Sequence, residues 1–523
     1  MPESWLPPEG VRRTSNVIKV SVGMFKGGDF RCPAADALKA RGYRPVQAVR
    51  RRQEQLEHFA FGPFMTVCDA RGRDGDEAAG GLRTAKPPHD GLRQWTVHAL
   101  ATYAAAFPED PDLALSEVDS PWRYSHVVTG ADPRGAEEYQ LTVWGRCLQS
   151  RDGTVRELRL PVNRLGRKPP PDGFVAAAAL VLAEGVPGPL PERVRIVEFA
   201  LLDGKVRPLF DGTRTEAIAH YRAHGRAALA ALLDSQEYRA GALCADCPYA
   251  SVCPVLRRSP GLLGIDEPGR RRRWWSVTNG RNYRVCPARD HMRRLHLPAA
   301  DEVEHAAAVD RGRALHAYLA ERHGGGSPRP CTARVPEQWV PEGFELPEAE
   351  RALGAELLRS HAAVCPMRLA RAAADVRNEP RIVRHDTAAE VVVVAKPDLL
   401  YRDGGAWVWR ETKTAARDRS LGRPLLEQYP QLALAVLLLA RGDLGGAPDR
   451  GRIEFEVLRP GGADLEIIDP FVPAVRAMAE QVVRGLVHCW LRDEEYPARP
   501  GAACARCETA RWCSNRPAFQ VAR

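Results

Sequence analysis

The feature that most constrains the fold of this chain is a cysteine pattern that occurs twice. The stretches CADCPYASVC and CARCETARWC share the spacing C-x2-C-x5-C. Their members are Cys244, Cys247 and Cys253 in the earlier stretch and Cys504, Cys507 and Cys513 in the later one. The two triplets are 260 positions apart. Each triplet indicates a metal site that lacks one ligand, because soft-metal sites normally use four.

A fourth cysteine precedes each triplet at a long distance. Cys32, in SVGMFKGGDFRCPA, lies 212 residues before the first triplet, and Cys286, in SVTNGRNYRVCPA, lies 218 residues before the second. Cys32 and Cys286 are 254 positions apart. Four cysteines of the first half therefore recur in the second half at nearly the same distance along the chain. This repetition predicts a tandem duplication, in which each copy carries its own set of four cysteines.

The duplication also predicts the domain boundaries. A chain of 523 residues is long enough for more than one buried core. We predict a first copy over residues 1–258, a basic linker with Pro and Gly over 259–273, and a second copy over 274–523. The cysteines without a counterpart in the other copy are predicted to be buried small hydrophobes: Cys68, Cys147, Cys331, Cys365 and Cys489.

The cysteine content indicates metal ligation rather than disulfide bonds. Thirteen cysteines occur in a chain whose start, MPESWLPPEG, lacks the charged and apolar regions of a signal peptide. The most apolar stretches, FVAAAALVLAEG and QLALAVLLLA, are about half as long as the ~20 residues of a membrane-spanning helix. We therefore expect a cytoplasmic protein without a membrane-spanning segment.

The positive net charge of the chain indicates which kind of molecule it binds. The formal net charge is +9 and the pI is near 9.0. Lys and Arg side chains gain affinity for nucleic acid by displacing phosphate counterions, so nucleic acid is the simplest partner. A solvated basic surface has the same composition, and charge alone does not distinguish the two.

Apolar periodicity predicts the elements of the second copy. The predicted helices are 301–323, 347–364, 367–377, 425–440 and 471–492, and the predicted strands are 381–386, 390–402, 406–414 and 453–460. The sequence DGG between the second and third strands predicts a hairpin turn. This order favours an α/β fold, in which helices flank a short mixed sheet.

The residues that carry chemistry lie in the predicted hairpin AKPDLLYRDGGAWVWRETKT. Glu411 and Lys413 are two residues apart, so their side chains share one face of a strand. Asp398 lies thirteen positions before Glu411, a separation that the hairpin can close. Two carboxylates and an ammonium beside Val-rich strands suit a site for Mg²⁺ or Mn²⁺, either of which lowers the pKa of a bound water. An exposed, salt-bridged hairpin is the alternative.

This segment resembles the PD-(D/E)XK nuclease motif. Pro397-Asp398 followed by Glu411-x-Lys413 matches the motif in order and residue type. The resemblance covers residues 274 to 515 and implies Asp398, Glu411 and Lys413 as catalytic residues. It also implies a restriction-endonuclease-like fold for both tandem domains, each with a short mixed sheet flanked by helices and closed by a four-cysteine cluster.

Two further motifs are similar to those of RecB-like members of this superfamily. Gly312-x-x-x-His316-x-x-Leu319 is similar to the helix that brings a metal-binding histidine, and Glu379 matches the acidic residue that commonly precedes the core strands. The resemblance implies that Lys413 positions the attacking water. The implied ligands of Mg²⁺ or Mn²⁺ are His316, Asp398, Glu411 and the carbonyl of Thr412.

The cysteines resemble the iron–sulfur staple of AddB-type and CRISPR-adaptation nucleases. In that group, one cysteine before the nuclease core and three after it bind a [4Fe–4S] cluster, which implies two clusters in this chain. The implied ligand sets are Cys32, Cys244, Cys247 and Cys253 in the first copy and Cys286, Cys504, Cys507 and Cys513 in the second. Zinc remains the alternative, because four thiolates suit either metal.

One motif departs from the family pattern. The family often has a Q-x3-Y motif, associated with DNA contact, on the helix after the lysine. Gln431 fits this motif, but Ala435 replaces the tyrosine, while Gln428 and Tyr429 lie one turn earlier. Gln428, Tyr429 and Gln431 are therefore weak candidates for DNA binding.

The first copy keeps the cysteines but not the catalytic residues. At the 254-residue offset, Glu411 aligns with Glu157 and Lys413 with Arg159, and no carboxylate aligns with the aspartate. Arginine does not accept a proton near neutral pH, and one carboxylate is a poor divalent-metal site. His58 lies only loosely where the metal-binding histidine is expected. We predict an inactive nuclease-like domain that binds DNA or a partner protein, with a purely structural role as the alternative.

The sequence thus predicts a metal-dependent DNA nuclease with one active site, in the second copy, that acts in DNA repair or antiviral defence. The alternative is a non-catalytic DNA-binding or assembly subunit of a helicase–nuclease or defence complex. The sequence contains no Walker A motif of the type G-x4-G-K-[ST]. Any ATP-driven unwinding would therefore come from a helicase or another ATPase partner.

The two cysteine sets generate a prediction about colour and metal content. Anaerobically purified protein should be brown, with broad absorbance near ~400 nm, as expected for thiolate-ligated iron. Iron and acid-labile sulfide assays on the same preparation measure the clusters directly. Stoichiometric zinc without iron or sulfide would contradict the prediction.

Overall fold

The computed structural model describes residues 5–28, 31–47, 59–74, 89–108, 114–118, 120–128, 137–269, 271–300, 303, 306–324, 329–370, 372–415, 422–446 and 450–516. His58 lies outside the described residues. The chain divides into two compact units. The first comprises Met1–Val255, His291–Pro298 and Thr509–Ala518, and the second comprises Leu256–Asp290, Ala299–Glu508 and Phe519–Arg523.

The first half of the chain mixes strands and helices. Its strands are β1 (Val11–Arg13), β2 (Val17–Ser21), β3 (Tyr43–Pro45), β4 (Ser116–Glu117), β5 (Arg123–Val128), β6 (Glu137–Thr142), β7 (Arg146–Gln149), β8 (Val155–Val162), β9 (Arg193–Ala200), β10 (Val206–Thr213) and β11 (Arg257–Arg258). Its helices are α1 (Pro33–Ala40), α2 (Gly62–Asp74), α3 (Asp90–Ala106), α4 (Asp172–Glu184), α5 (Arg214–His220) and α6 (Arg226–Leu233). The sheets of the first unit have the orders β10-β9-β8-β7-β4, β2-β6-β5 and β1-β3.

The second half has a similar alternation. Its strands are β12 (Arg273–Trp275), β13 (Val376–Asn378), β14 (Ile382–Asp386), β15 (Val391–Ala395), β16 (Leu399–Asp403), β17 (Ala406–Thr414), β18 (Arg452–Arg459) and β19 (Gly462–Ile468). Its helices are α7 (Val277–Val285), α8 (Pro287–Arg294), α9 (Ala307–Gly324), α10 (Glu348–Val364), α11 (Leu425–Gln428), α12 (Pro430–Ala440) and α13 (Pro473–Arg492). The sheets of the second unit have the orders β13-β16-β17-β18-β19 and β11-β14-β15-β12.

The larger sheets of the two units share strand order and strand direction. In the second unit, β17 pairs antiparallel with β16 and parallel with β18, which pairs antiparallel with β19. In the first unit, β8 pairs antiparallel with β7 and parallel with β9, which pairs antiparallel with β10. Parallel neighbours require a crossover connection, and α4 and α12 lie in the equivalent crossovers.

The core of the second unit is built on a helix that is apolar on every side. The eleven residues of α12, PQLALAVLLLA, are buried without interruption from Leu432 to Leu439. They pack against Trp407 and Trp409 of β17 and against α13. A helix covered all round needs no polar face. The strand β17 packs on this core and is paired with a strand on each edge. Its side chains are therefore held in fixed positions.

Two of the predicted elements are wrong in the second unit. The predicted helix 367–377 contains two short 3-10 turns and the strand β13. Most of its side chains are exposed, so it has no apolar face to bury. The predicted strand 390–402 is divided between β15 and β16, which belong to different sheets. The division falls at Pro397, which cannot donate a ladder hydrogen bond.

The predicted linker 259–273 is also wrong, because this segment belongs to the core of the second unit. Leu262, Leu263 and Ile265 are buried in the same apolar cluster as α12. The backbone amide of Leu263 donates to the carboxylate of Asp386 at 2.8 Å. The basic and Gly-rich composition of the segment concealed three apolar side chains at its centre.

Among the residues that the structure describes, no helix is long and apolar enough to cross a membrane. The apolar helix α12 has eleven residues, about half of the ~20 that such a crossing requires.

Asp290 connects three helices of the second unit. Its buried carboxylate accepts hydrogen bonds from Asn279 Nδ2 in α7 at 3.0 Å and from Trp490 Nε1 in α13 at 3.1 Å. We predict that Asp290→Ala lowers the free energy of unfolding by about 3 kcal/mol, because two buried donors lose their acceptor. Chemical denaturation measures this change. The control is Asp266→Ala, which truncates an exposed side chain, and an equal effect of both variants would contradict the prediction.

Candidate active site

The strand β17 carries three of the predicted site residues. It is buried from Ala406 to Thr412, since β16 and β18 pair with both of its edges. Side chains alternate along a strand, so Glu411 and Lys413 share the face of Trp409, which packs in the α12 core. The indole nitrogen of Trp409 donates to Glu411 Oε1 at 3.3 Å. The carboxylate of Glu411 is therefore held at the edge of an apolar core.

Asp398 lies directly before β16 and meets the end of β17. Its Oδ2 accepts a hydrogen bond from the backbone amide of Thr412 at 2.8 Å. The ammonium of Lys413 lies 3.6 Å from the same oxygen and donates to Glu411 Oε2 at 3.1 Å. It also donates to the carbonyl of Thr412 at 3.2 Å. Two carboxylates, an ammonium and a main-chain carbonyl thus meet at one point.

Helix α9 brings His316 to the same point. Nδ1 of His316 lies 3.5 Å from Asp398 Oδ1. One turn earlier, a Cβ placed on Gly312 would lie 4.0 Å from the hydroxyl of Thr414, so the helix crosses close to the end of β17. The predicted catalytic and metal-binding residues that lie together are His316, Asp398, Glu411, Thr412 and Lys413.

Burial determines the electrostatics of the site. Glu411 is 4% exposed, and burial together with the negative charge of Asp398 raises its pKa to about 7. Burial opposes the charge of Lys413, but Glu411 and Asp398 outweigh this effect and raise the pKa of the ammonium. Lys413 is therefore a cation at neutral pH.

The donor set fits a hard divalent cation. Mg²⁺ and Mn²⁺ prefer carboxylate and carbonyl oxygens, and the site presents both carboxylates and the carbonyl of Thr412. The raised pKa of Glu411 indicates that Lys413 alone does not compensate the buried negative charge. A cation bound by these oxygens would supply the missing compensation, and His316 would offer a nitrogen ligand.

Glu379 contacts the site through its main chain. Its backbone amide donates to the carbonyl of Asp398 at 3.1 Å. Its backbone has a positive φ of 44°, and its carboxylate forms an ion pair with Lys396. The acidic residue predicted to precede the core strands therefore supports the loop that carries Asp398.

The weak candidates for DNA binding lie where α11 meets α12. The side chain of Gln428 donates to a main-chain carbonyl five residues earlier at 2.7 Å. The ring of Tyr429 packs on Phe455, with 4.5 Å between the ring centroids. Gln431 is half-buried in the first turn of α12, and Ala435 is fully buried in the core. A DNA contact by these residues stays a prediction.

In the first unit, Glu157 is held by two arginines. It is 2% exposed, accepts a hydrogen bond from Arg159 Nε at 2.6 Å and lies 3.2 Å from Arg195 Nη1. Arg159 also donates to the hydroxyl of Tyr103 on α3 at 3.0 Å. The residue paired with Glu157 across the hairpin is Leu148. The negative charge of Glu157 is thus compensated by the protein itself.

Relative to the crossover helix, this ion pair faces the opposite side of its sheet from Glu411 and Lys413, which contradicts the predicted alignment of Glu157 with Glu411 and of Arg159 with Lys413. Glu411 is on the face of α12, the crossover helix between β17 and β18. The equivalent helix of the first unit is α4, and the β8 residues in its apolar cluster are Leu158 and Leu160. A shift of one residue moves every side chain to the other face. The face of β8 toward α4 therefore carries Leu158 and Leu160, and Glu157 and Arg159 lie on the other face.

The structure brings the four predicted cluster cysteines of the first unit close together: Cys32, Cys244, Cys247 and Cys253. Burial and the charges of the other three thiols raise the pKa of Cys247 to about 12. The amide of Arg239 donates to Cys32 Sγ at 3.4 Å, and the amide of Gly241 donates to Cys244 Sγ at 3.3 Å. Hydrogen bonds to sulfur are among the protein's means of adjusting an iron–sulfur cluster, and they fit such a ligand set.

Similar local geometry surrounds the cysteines of the second half. The amide of Arg499 donates to Cys286 Sγ at 3.4 Å, and the amide of Cys504 donates to the carbonyl of Gly501 at 3.0 Å. The equivalent main-chain bond of the first unit measures 3.1 Å. The remaining predicted ligands are half-buried, Cys507 after the short helix Ala502–Arg506 and Cys513 after the short helix Ala510–Trp512.

A buried polar network that was not predicted from the sequence lies behind β17. The hydroxyl of Thr412 donates to Glu456 Oε2 at 2.9 Å, and Glu456 Oε1 lies 2.7 Å from His361 Nδ1. Burial opposes ionisation of Glu456, but His361 outweighs it and lowers the pKa of the carboxyl. The signal was visible in IEFEVLRP, where Glu454 and Glu456 share one face of an otherwise apolar strand.

A set of four metal-ligating side chains was also missed. One ligand atom from each of them lies within 4.8 Å of the others: His323, Cys331, His361 and Cys365. Cys365 is buried as predicted, but Cys331 is only partly buried and Cys489 is exposed, so the prediction of buried small hydrophobes is wrong for these two. The signal was the H-x3-C spacing of His361 and Cys365, which places both on one face of a helix end.

Part of the chain is similar to known proteins. A family model described as the PD-(D/E)XK nuclease superfamily matches residues 274–514, a range that contains His316, Asp398, Glu411 and Lys413. The chain is also similar to a solved structure titled "Crystal structure of SSO0001". The identity is 14%, the coverage is 46% of this chain and 85% of that chain, and the TM-score is 0.26. No curated protein matches the chain significantly.

The raised pKa of Glu411 predicts that ionisation of this carboxyl lowers the free energy of unfolding, by an amount that depends on pH. The ordinary pKa of this carboxyl is 4.5, and in the fold it is about 7. Stability should fall as pH rises between these values, because the unfolded chain releases the proton first, and should then stay constant. We predict that Glu411→Gln raises the unfolding temperature of metal-free protein at pH 8 by a few degrees, roughly as expected for ~1–2 kcal/mol.

Thermal unfolding at pH 5 and pH 8 without added divalent cations measures this difference, which should nearly vanish at pH 5. Glu466→Gln is the control, because Glu466 is exposed on β19. If Glu411→Gln changes the unfolding temperature equally at both pH values, the destabilisation does not come from ionisation of Glu411, and the prediction is contradicted.

Proposed function

We propose that residues 274–514, which form a domain of the PD-(D/E)XK nuclease superfamily, hydrolyse phosphodiester bonds of DNA with Mg²⁺ or Mn²⁺. Members of this superfamily are generally phosphodiester-hydrolysing nucleases. One observation carries the proposal for this chain. The ammonium of Lys413 lies 3.1 Å from Glu411 and 3.6 Å from Asp398, at the end of a strand that is buried along most of its length.

The residues of the site have separate roles in this proposal. When bound, a divalent cation would supply a water of lowered pKa and positive charge beside the scissile phosphate. Lys413 orients the attacking water against the carboxylates and stabilises the negative charge that develops on the phosphate oxygens. Trp409, which donates to Glu411 Oε1, holds that carboxylate in one orientation. The cation would be held by His316, Asp398, Glu411 and the carbonyl of Thr412.

DNA is the proposed substrate because of charge. The chain carries a formal net charge of +9, and basic side chains bind the phosphates of nucleic acid by releasing counterions. The binding should therefore weaken as the salt concentration rises. The proposed location is cytoplasmic.

We infer that the first unit is an inactive copy of the same fold. The shared strand order of the larger sheets supports this inference. So do the bonds from Arg239 to Cys32 and from Arg499 to Cys286, which both measure 3.4 Å and occur at the offsets of the sequence repeat. The buried carboxylate of Glu157 is paired with Arg159 and Arg195, so the negative charge that a cation would compensate in the second unit is already neutralised here. Its proposed role is to bind DNA or a partner protein.

Each copy is proposed to hold one [4Fe–4S] cluster, with zinc as the alternative metal. In the second copy the ligands enclose 218 residues between Cys286 and Cys504. A bond network that closes a loop of this length removes much conformational freedom from the unfolded chain. The clusters would therefore act as staples rather than as catalysts.

The pathway proposed is DNA repair or antiviral defence. Because the sequence has no Walker A motif, duplex unwinding would depend on a helicase or another ATPase partner. The alternative is a non-catalytic DNA-binding or assembly subunit of a helicase–nuclease or defence complex. The positive net charge would suit this function equally well. Cleavage by the purified chain separates these two functions.

A matched pair of variants tests the active site. Glu411→Gln should reduce cleavage of linear or single-stranded DNA in Mn²⁺ below about 1% of the wild-type rate, because it removes an interaction needed in the transition state. Asp398→Ala and Lys413→Ala should behave in the same way. Glu157→Gln changes the corresponding glutamate of the first unit and should leave the rate within about a factor of two.

Cleavage rates and iron content are measured on the same preparations, so that loss of fold is recognised. Unchanged cleavage in Asp398→Ala or Lys413→Ala would contradict the assignment. Loss of cleavage in Glu157→Gln with full iron content would show that the first unit takes part in catalysis. If the wild-type chain binds DNA but does not cleave it with Mn²⁺ or Mg²⁺, the non-catalytic alternative holds.

A further inference from the structure

A second group of metal-ligating side chains lies behind β17, in the second unit. The last turns of α9 and α10 supply His323 and His361, and Cys365 follows directly after α10. Cys331 lies in the segment between the two helices, and its backbone amide donates to Cys365 Sγ at 3.3 Å. Three separate places in the sequence therefore contribute to one cluster.

The spacing of the ligand atoms is that of a single tetrahedral ion. Nε2 of His323 lies 3.4 Å from Cys331 Sγ and 3.7 Å from Cys365 Sγ, and all four ligand atoms lie within 4.8 Å of one another. With Zn–S near 2.3 Å and Zn–N near 2.0 Å, neighbouring ligands of a tetrahedral zinc ion are about 3.3–3.8 Å apart. Both measured distances fall within this range.

The chemistry of the ligands selects the metal. An iron–sulfur cluster distributes its ligands over different irons, which four atoms this close together do not allow. Two thiolates and two imidazoles in a tetrahedral arrangement are typical of zinc. The protein supplies all four ligands, as in structural zinc sites, whereas catalytic zinc sites leave one position to water.

The state of His361 is an independent observation in favour of a metal. This residue is 1% exposed, and its Nδ1 lies 2.7 Å from the carboxylate of Glu456. Its Nε2 makes no hydrogen bond of ordinary geometry among the described residues, and its polar neighbour is the thiol of Cys365. A buried polar nitrogen without such a bond is costly. A carboxylate on one imidazole nitrogen and a metal on the other is the usual arrangement of metal-binding histidines.

We propose that His323, Cys331, His361 and Cys365 bind one structural zinc ion. The ion would connect the two elements that build the candidate active site. His323 lies seven residues after His316 on α9, so the two share a face of the helix. On the other side, Glu456 links His361 to the hydroxyl of Thr412 at 2.9 Å. Zinc binding does not depend on the proposed cleavage and is measured without DNA.

The first experiment uses the full wild-type chain, purified anaerobically after expression with added zinc. Elemental analysis should find about one zinc per chain, and zinc K-edge X-ray absorption should find two sulfur and two nitrogen ligands. This measurement is specific for zinc and is unaffected by iron elsewhere in the chain. Absence of zinc would overturn the proposal. A shell of four sulfurs would also overturn it, since that shell would place the zinc in the four-cysteine sets.

The second experiment compares cysteine variants of the full chain. Cys365→Ser and Cys331→Ser should each lower the zinc content at least tenfold while the iron content stays unchanged. Cys489→Ser is the matched control, because Cys489 is exposed on α13, and it should retain the zinc. Wild-type zinc content in Cys365→Ser would overturn the proposal. If a variant does not fold, the absorption spectrum of the wild-type chain still decides the ligand set.

Discussion

The second unit depends on one constraint, the burial of the carboxylate of Glu411. An ionised carboxylate at the edge of an apolar core is stable only with partners. Trp409 donates a hydrogen bond to one of its oxygens and Lys413 donates to the other, yet the pKa of Glu411 still rises to about 7. The fold therefore keeps a site in which negative charge remains poorly compensated, and such a site has affinity for a divalent cation.

The opposite face of β17 is also polar, and its buried side chains contact one another. Arg410 lies 3.1 Å from Glu454, and the hydroxyl of Tyr401 donates to the same glutamate at 2.8 Å. Next to them, Thr412 donates to Glu456. Buried hydrogen bonds and ion pairs of this kind restrict the orientations that their members can adopt. A strand anchored on both faces can present Glu411 and Lys413 without a change of register, which a metal site requires.

Much of the candidate site follows from local spacing. The Glu-x-Lys spacing places two side chains on one strand face, and the hairpin turn brings Asp398 to the same end. Helical periodicity predicts the helix that carries His316.

The elements that could not be predicted lack a local signal. Residues 367–377 have the composition of a helix without an apolar face to bury, and the segment 259–273 hides Leu262 and Leu263 among basic and Gly residues. Glu157, which was predicted to align with Glu411, lies on the other face of its sheet, because successive side chains of a strand point to opposite faces.

The sequence by itself determined the repeat, the cysteine sets and the order Asp398, Glu411, Lys413, because these depend only on which residues occur at which spacing. The tertiary structure decided which faces meet. It placed Glu157 on the opposite side of its sheet, and it brought His323 and Cys331 to His361 and Cys365. The physical reason is the range of the interactions. Backbone periodicity acts over a few residues, whereas contacts between helices and strands depend on how the whole apolar core packs, which no single segment specifies.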